Sequence, residues 1–299
     1  MLLKVLTTLT VLVLLVVAAG LLTHYILIKT RPSVKFSPPP VKTTPKPAVA
    51  MRPFEVFPKE DRPPAVPLPK PKPPREALPK VAIIIDDLGY DRRMAQKFLD
   101  LDGGLTFAVL PHTPHTRLIA ANILKRGGEL MLHLPMEPLE YPSVDPGPGA
   151  LLSSMSADDL IDQLRKNLSA VPGIKGVNNH MGSKLTAESG RLYQVFSILK
   201  QEGLFFIDSR STAETVSRPS ARLFQLPFAE RDVFIDHVHD PDFMRTQIKE
   251  LIEIARKNGE AIGIAHPSKM TLRILEEMLP MLKKEVQLVP ASHVVHVIS

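Results

Sequence analysis

From Val81 to the C-terminus the chain alternates short apolar runs with amphipathic stretches, and no other property of the sequence narrows its possible folds as far. The apolar runs predict strands at Val81–Ile85, Leu105–Leu110, Glu129–His133, Gly176–Asn179, Leu204–Ile207, Val233–Ile235, Ala261–Ala265 and Gln287–Val289. Helical periodicity covers Arg92–Leu101, Thr116–Arg126, Ala157–Leu168, Ser189–Gln201, Asp242–Asn258 and Ser268–Lys284. Ser156 with Asp158 and Asp159, and Asp240 with Asp242, have the chemistry of helix starts, while Gly103, Gly127, Gly203 and Gly259 fall just past helix ends. Strands separated by helices pair through crossovers, so the sheet they form is parallel. Such units either close into a barrel or lie as a doubly wound open sheet, and periodicity does not choose between them. The Pro- and Gly-rich segment Leu139–Leu152 is expected to be a loop over the carboxyl edge.

That edge is where α/β folds bind ligands, and the chemistry-bearing side chains collect there. Val81-Ala-Ile-Ile-Ile runs straight into Asp86-Asp87 and a glycine, placing two adjacent carboxylates where the first strand emerges. Such a pair is either a cation site or a plain solvated strand exit. His112 follows the second strand, His133 ends the third, His180 the fourth, Asp208-Ser209 the fifth, Asp236-His237 the sixth and His266 the seventh. A lone histidine near a strand end is usually structural. Several at one edge of one sheet point to a metal site.

The donor set is limited by composition. The chain has no cysteine, which excludes disulfides, thiolate-bound zinc and thiol catalysis. Any metal must therefore be held by histidines and carboxylates, a set that suits zinc or a similar divalent ion. Such an ion polarises carbonyls and acidifies water, and a neighbouring carboxylate and histidine can move the protons. Serine chemistry is poorly supported, because neither Ser183 nor Ser209 sits in a Gly-x-Ser-x-Gly elbow.

The N-terminal part has a different character. Val5 to Ile28 carries no formal charge with His24 taken as neutral, and is long enough to span a bilayer. Residues 1–30 are expected to form an uncleaved signal anchor, with a cleaved signal peptide as the alternative. Sixteen of the 30 prolines lie between Pro32 and Pro79, interleaved with lysines, so residues 31–79 are expected to be a disordered, extended tether. At about 3 Å per residue it would reach on the order of 100 Å. Residues 29–80 hold 12 Lys/Arg against 4 Asp/Glu, so the net charge of +6 belongs to the tether, and residues 81–299 are slightly acidic. A mildly acidic domain argues against nucleic-acid binding. Only Lys4 precedes the span, whereas Lys29, Arg31 and Lys35 follow it, so positive-inside counting puts the downstream part in the cytoplasm. That conflicts with the envelope location expected below from function.

Ile84-Ile-Asp86-Asp87, Gly128-Glu-Leu-Met-Leu-His133-Leu-Pro-Met-Glu137-Pro138, Asn179-His180-Met-Gly-Ser183 and Ala265-His266-Pro267 resemble the divergent polysaccharide deacetylases, relatives of the NodB-homology carbohydrate esterases. The resemblance covers essentially all of residues 80–299. It implies a distorted (β/α)7-type barrel and hydrolysis of N-acetyl groups on a sugar polymer. It also implies Asp86 as general base, Asp87 and His133 as metal ligands, and His266 as the general acid. Glu137 stands where that family's second motif has another histidine, leaving it either a ligand or a nearby hydrogen-bonding group. His180 is the preferred third ligand. The family's Arg-Pro-Pro-Tyr motif is replaced by Asn-Asn-His-Met-Gly-Ser, and the chain has no tryptophan for an aromatic wall. Asp208 is a candidate partner for His266, with a buried structural aspartate as the alternative. His112, His115, His237 and His239 are assigned to rim or surface, and Tyr141 and Met136 either to a sugar site or to loop packing.

These readings predict a membrane-anchored, zinc-type deacetylase acting on a polysaccharide or peptidoglycan-like substrate, held at the inner membrane with its catalytic domain on the periplasmic side. The alternative is a catalytically silent glycan-binding or scaffolding protein of the envelope. A metal hydrolase of another ester or phosphoester class comes third.

Overall fold

The computed structural model describes residues 78–101 and 104–298. The predicted span Val5–Ile28 and nearly all of the predicted tether lie outside them. No helix among the described residues is long and apolar enough to cross a membrane.

The alternation folds as its periodicity predicts. The elements run β1 (Lys80–Leu88), α1 (Arg92–Leu99), β2 (Thr106–Val109), α2 (Thr116–Lys125), β3 (Glu129–Met136), α3 (Ala157–Ala170), β4 (Gly176–Met181), α4 (Ser189–Gln201), β5 (Phe205–Asp208), α5 (Ser217–Phe224), β6 (Pro227–Glu230), β7 (Val233–Phe234), α6 (Pro241–Asn258), β8 (Glu260–Ala265), α7 (Lys269–Glu285), β9 (Gln287–Leu288) and β10 (His296–Val297). Ser156 caps α3 by accepting from the Asp159 amide, and Asp240 caps α6 by accepting from that of Phe243. The sequence reading missed α5 and β6. Pro219 and the small residues Ser217, Ser220 and Ala221 on the buried side of the helix break the α5 pattern, although a proline in the first helical turn displaces no intrahelical donor.

The strands form one sheet ordered β10-β6-β5-β4-β3-β2-β1-β8-β7, parallel throughout except at β10. The result is a half-barrel of parallel strands wrapped by helices. Closure stops at β6 and β7, which are consecutive in the chain with only Arg231 and Asp232 between them, yet are not paired with each other.

Two apolar layers result from the two-residue period of the strands. Along β1, Val81, Ile83 and Ile85 face the helices, whereas Ala82 and Ile84 face inward. The inner layer also takes Ala108, Met131, Ile207, Ile262 and Ile264, and is filled by Val289, Ala291 and Val294 from the C-terminal segment. That segment is pinned where the Ala291 amide donates to Thr106 Oγ1 and the Ser292 amide to Glu129 Oε1. The inward series 82, 84 continues to Asp86, and 262, 264 continues to His266. Met131 leads in the same way to His133, and on β4 the alternate residues Asn178 and His180 share the inward face. Each candidate residue thus stands at the end of an inward-facing row, above a dry floor.

Candidate metal centre

One residue breaks this alternation. After Asp86, regular pleating would send Asp87 outward to the helices. Instead Asp87 has φ +54°, a left-handed conformation that aspartate tolerates better than most residues, and the β1–β2 register shifts between Ile85 and Leu88. The turn brings both carboxylates to the same side. His133 Nδ1 lies 3.7 Å from Asp86 Oδ1, and its Nε2 lies 3.1 Å from Asp87 Oδ1.

His180 completes a triangle. Its Nδ1 is 2.9 Å from Asp87 Oδ1 and 3.1 Å from His133 Nε2. Zinc binds nitrogen and oxygen at about 2.0–2.2 Å, so three donors on one tetrahedral face stand roughly 3.3 Å apart, close to this triangle. Asp87 Oδ1 is buried and has no hydrogen-bond partner even with two ring nitrogens so near. A buried carboxylate oxygen is rarely left so. The donor chemistry, the spacing and the orphaned oxygen all fit a divalent cation.

Asn178 sets the tautomer. Its Nδ2 donates to Asp86 Oδ1 at 2.7 Å, so its Oδ1 is the acceptor facing His133 Nδ1 at 2.9 Å. His133 therefore donates from Nδ1, and in the neutral ring Nε2 presents a lone pair to the cluster, the arrangement expected of a metal ligand. His266 is held in a parallel way. Its Nδ1 lies 2.9 Å from Asp236 Oδ1, while Asp236 Oδ2 accepts from the His266 amide at 2.6 Å and from Thr271 Oγ1 at 2.8 Å. Nε2 then faces the cleft, 3.9 Å from Asp87 Oδ2.

The electrostatics favour positive charge here. Burial raises Asp86 above the usual carboxylate range, and the nearby His133 and His266 only partly offset it. Burial would also raise Asp87, but the His133 and His180 rings outweigh it and hold that carboxyl well below the usual range. Burial would lower His133, yet Asp86 and Asp87 prevail and raise it. For His266, burial is overcome by the Asp236 hydrogen bond and by the charges of Asp86, Asp236 and Asp87, which push it up to about 9.

Asp86, Asp87, His133, His180 and His266, named from the sequence, thus line one cleft of about 350 Å³. Two readings left open by the sequence resolve to their second alternative, a hydrogen-bonding Glu137 and a buried structural Asp208. Glu137 is not a ligand: its carboxylate takes Lys184 Nζ at 2.8 Å and the Ser153 amide, tying down the loop after β3. Asp208 does not serve His266, because it is spent on the Arg210 amide and Thr215 Oγ1, each at 2.7 Å. Asp236 serves His266, and its position at a predicted strand end was a usable signal. Asn178, Arg231 and Phe234 were also missed. Met136 is fully buried in the core, and Tyr141 is exposed outside the cleft lining. His112 bonds Asn167 and lines a different groove with Arg117 and Arg165, and His239 is exposed. His237 packs against Phe234 and Phe243.

Fold and site together define a class: a parallel α/β half-barrel with a cluster of His and Asp side chains at its carboxyl edge that could hold a cation. Residues 83–295 match the divergent polysaccharide deacetylase family, and the chain belongs to it. It is 34% identical over 213 residues to the uncharacterized protein YibQ of Escherichia coli, across 71% of this chain and 66% of that one, just under two thirds of the relative's length. An uncharacterized protein of Haemophilus influenzae is 30% identical over 213 residues, covering 71% of this chain and 75% of its own. The crystal structure of an uncharacterized protein from Agrobacterium tumefaciens superimposes with a TM-score of 0.70 at 27% identity, covering 73% of this chain and 90% of that one.

Proposed function

We propose that the chain is a metal-dependent hydrolase that removes N-acetyl groups from an envelope glycan. The observation that carries this reading is the convergence of Asp87 Oδ1, His133 Nε2 and His180 Nδ1 within 3.1 Å of one another, with the carboxylate oxygen buried and unpartnered. Membership of a family described as divergent polysaccharide deacetylase supports the glycan. A divalent ion such as zinc, when bound, would supply Lewis acidity toward the acetamide carbonyl and toward water.

The chain's own residues would move the protons. Asp86 is buried beside the triangle with its pKa raised, which suits it to take a proton from an attacking water. His266, at about 9, carries its proton at neutral pH, and Asp236 orients the ring so that Nε2 can give that proton to the departing amine. Water adds to the carbonyl carbon, the C–N bond breaks, and acetate and the protonated amine leave. We place this chemistry outside the cytoplasmic membrane, supported by the apolar length of Val5–Ile28 and the reach of the tether. Lys29, Arg31 and Lys35 argue for the reverse orientation, so protease accessibility in intact cells decides the topology.

The test uses the full-length chain purified in detergent and loaded with zinc. Acetate release from N-acetylated oligosaccharide or cell-wall glycan is expected. Asp86→Asn should retain stoichiometric metal and reduce release by about 10²-fold or more. Metal binding without acetate release from any such glycan would overturn the hydrolase reading in favour of a glycan-binding protein.

A further inference from the structure

Most charges in and beside the cleft are paired. Asp236 pairs with His266, Asp86 and Asp87 face three histidines, and Glu230 takes Arg218 at 2.6 Å and Arg210 at 3.6 Å. Arg231, which lines the same cleft, has no carboxylate at ion-pair distance among the described residues. Its Nε donates to Ser209 O at 2.7 Å and a terminal nitrogen to Arg210 O at 3.2 Å. Those carbonyls fix the plane of the guanidinium without neutralising it. The group also lies over the Phe234 ring at 5.0 Å, and Phe234 meets the His266 ring edge-on at 5.0 Å. A rigid, half-buried cation therefore stands beside the candidate acid, with only one aromatic ring between them.

A partly desolvated charge without a counter-ion is unfavourable unless something supplies one. Asp208, Asp232 and Asp86 act on Arg231 through space but do not pair with it: Asp208 holds the Arg210 amide and Thr215 Oγ1, Asp232 holds the Ile262 amide, Asp86 faces the triangle, and Arg210, which lines the same cleft, adds to the positive field. An immobilised guanidinium fork matches a carboxylate in shape and charge. Its place next to His266 is the side toward which the departing amine, and so the sugar, would lie.

We propose that Arg231 selects an acidic glycan, one that bears a carboxylate on or next to the N-acetylated sugar. This rests on the deacetylase reading for the position of the sugar, and on Arg231 for the anion. The test compares binding to the full-length protein, by calorimetry, of two oligosaccharides of equal length: an N-acetylglucosamine oligomer and an N-acetylated oligomer with alternate sugars carrying carboxylates. The acidic oligomer is expected to bind about tenfold more tightly, with a preference that shrinks in high salt. Arg231→Gln should collapse the ratio of the two affinities, and Arg231→Lys should restore it only in part. Equal binding by the native protein, which needs no variant, overturns the proposal, and so does a ratio unchanged in Arg231→Gln. Acetate release from both oligomers without preference would defeat the proposal and leave the deacetylase standing. An acidic preference dependent on Arg231 without any acetate release would do the reverse.

Discussion

An asparagine amide has one donor end and one acceptor end, and Asn178 spends both on groups that matter to the chemistry. It holds Asp86 at 2.7 Å and His133 at 2.9 Å, fixing the proposed base and the tautomer of the candidate ligand together. We expect Asn178→Ala, which leaves a buried carboxylate oxygen and a buried ring N–H unpaired, to lose about 1–3 kcal/mol in urea unfolding. Zinc affinity should fall about 10–100-fold, the usual effect of removing such a supporting group. An unchanged zinc titration would show that the amide does not orient the ligand. Asp236→Asn should bring His266 down from about 9 toward its ordinary 6.5, measurable by NMR titration of the ring. The sign for stability follows. A raised histidine pKa contributes fully below about 6.5, and the contribution fades as pH rises through about 9, so the variant should be weakened at pH 6 and hardly at pH 10. That the candidate ligands and candidate acid share one cleft was legible in the sequence, because polar residues at strand ends converge on one edge. The role of Asn178 was not, and Asp236 was visible at a strand end without its partner, because each acts through another side chain, and which side chain depends on strand register. His133 lies opposite Asn178 in the β3–β4 pairing, and the β7–β8 pairing leads Asp236 to His266.

Among the elements, the exit of β1 decides whether there is a site at all. Without the left-handed turn at Asp87 the second carboxylate would point at the helices, and the triangle with His133 and His180 would lose a corner. Asp87→Asn and Asp87→Val both remove the charge, but only asparagine accepts a positive φ readily. Val at this position should therefore unfold at lower urea by about 1–3 kcal/mol relative to Asn. Equal midpoints would mean that the turn is incidental. The alternating pattern made nearly every strand and helix visible, with the α4 boundaries Ser189–Gln201 matching outright. It failed on α5 and β6, each of which carries a proline that reads as a breaker. It also could not show the turn at Asp87, since nothing in Ile-Ile-Asp-Asp distinguishes a flat strand exit from a twisted one.

For the whole molecule, the inner layer Ala82, Ile84, Met131, Ile262 and Ile264 makes the floor of the cleft dry, and the helices lock the outer layer against it. The sequence indicated a parallel α/β sheet but not the open seam between β6 and β7, because two strands joined by two residues read as a single polar break. The seam nevertheless matters, since it places Arg231 in the cleft. Because the candidate site joins β1, β3 and β4, an ion bound there would be tied to the stability of the entire sheet. An ion that binds only the folded chain stabilises it by about 2.7 kcal/mol at a free concentration 100 times its Kd. We therefore expect zinc to raise the urea midpoint of the native chain and a chelator to reverse the rise. His133→Ala should abolish the zinc effect. Because Asp86 and Asp87 hold His133 above its ordinary pKa, protons compete with the ion for the ring, and the stabilisation should shrink as pH falls. Equal stabilisation of the native chain and His133→Ala would place the ion elsewhere and remove the basis for the catalytic assignment.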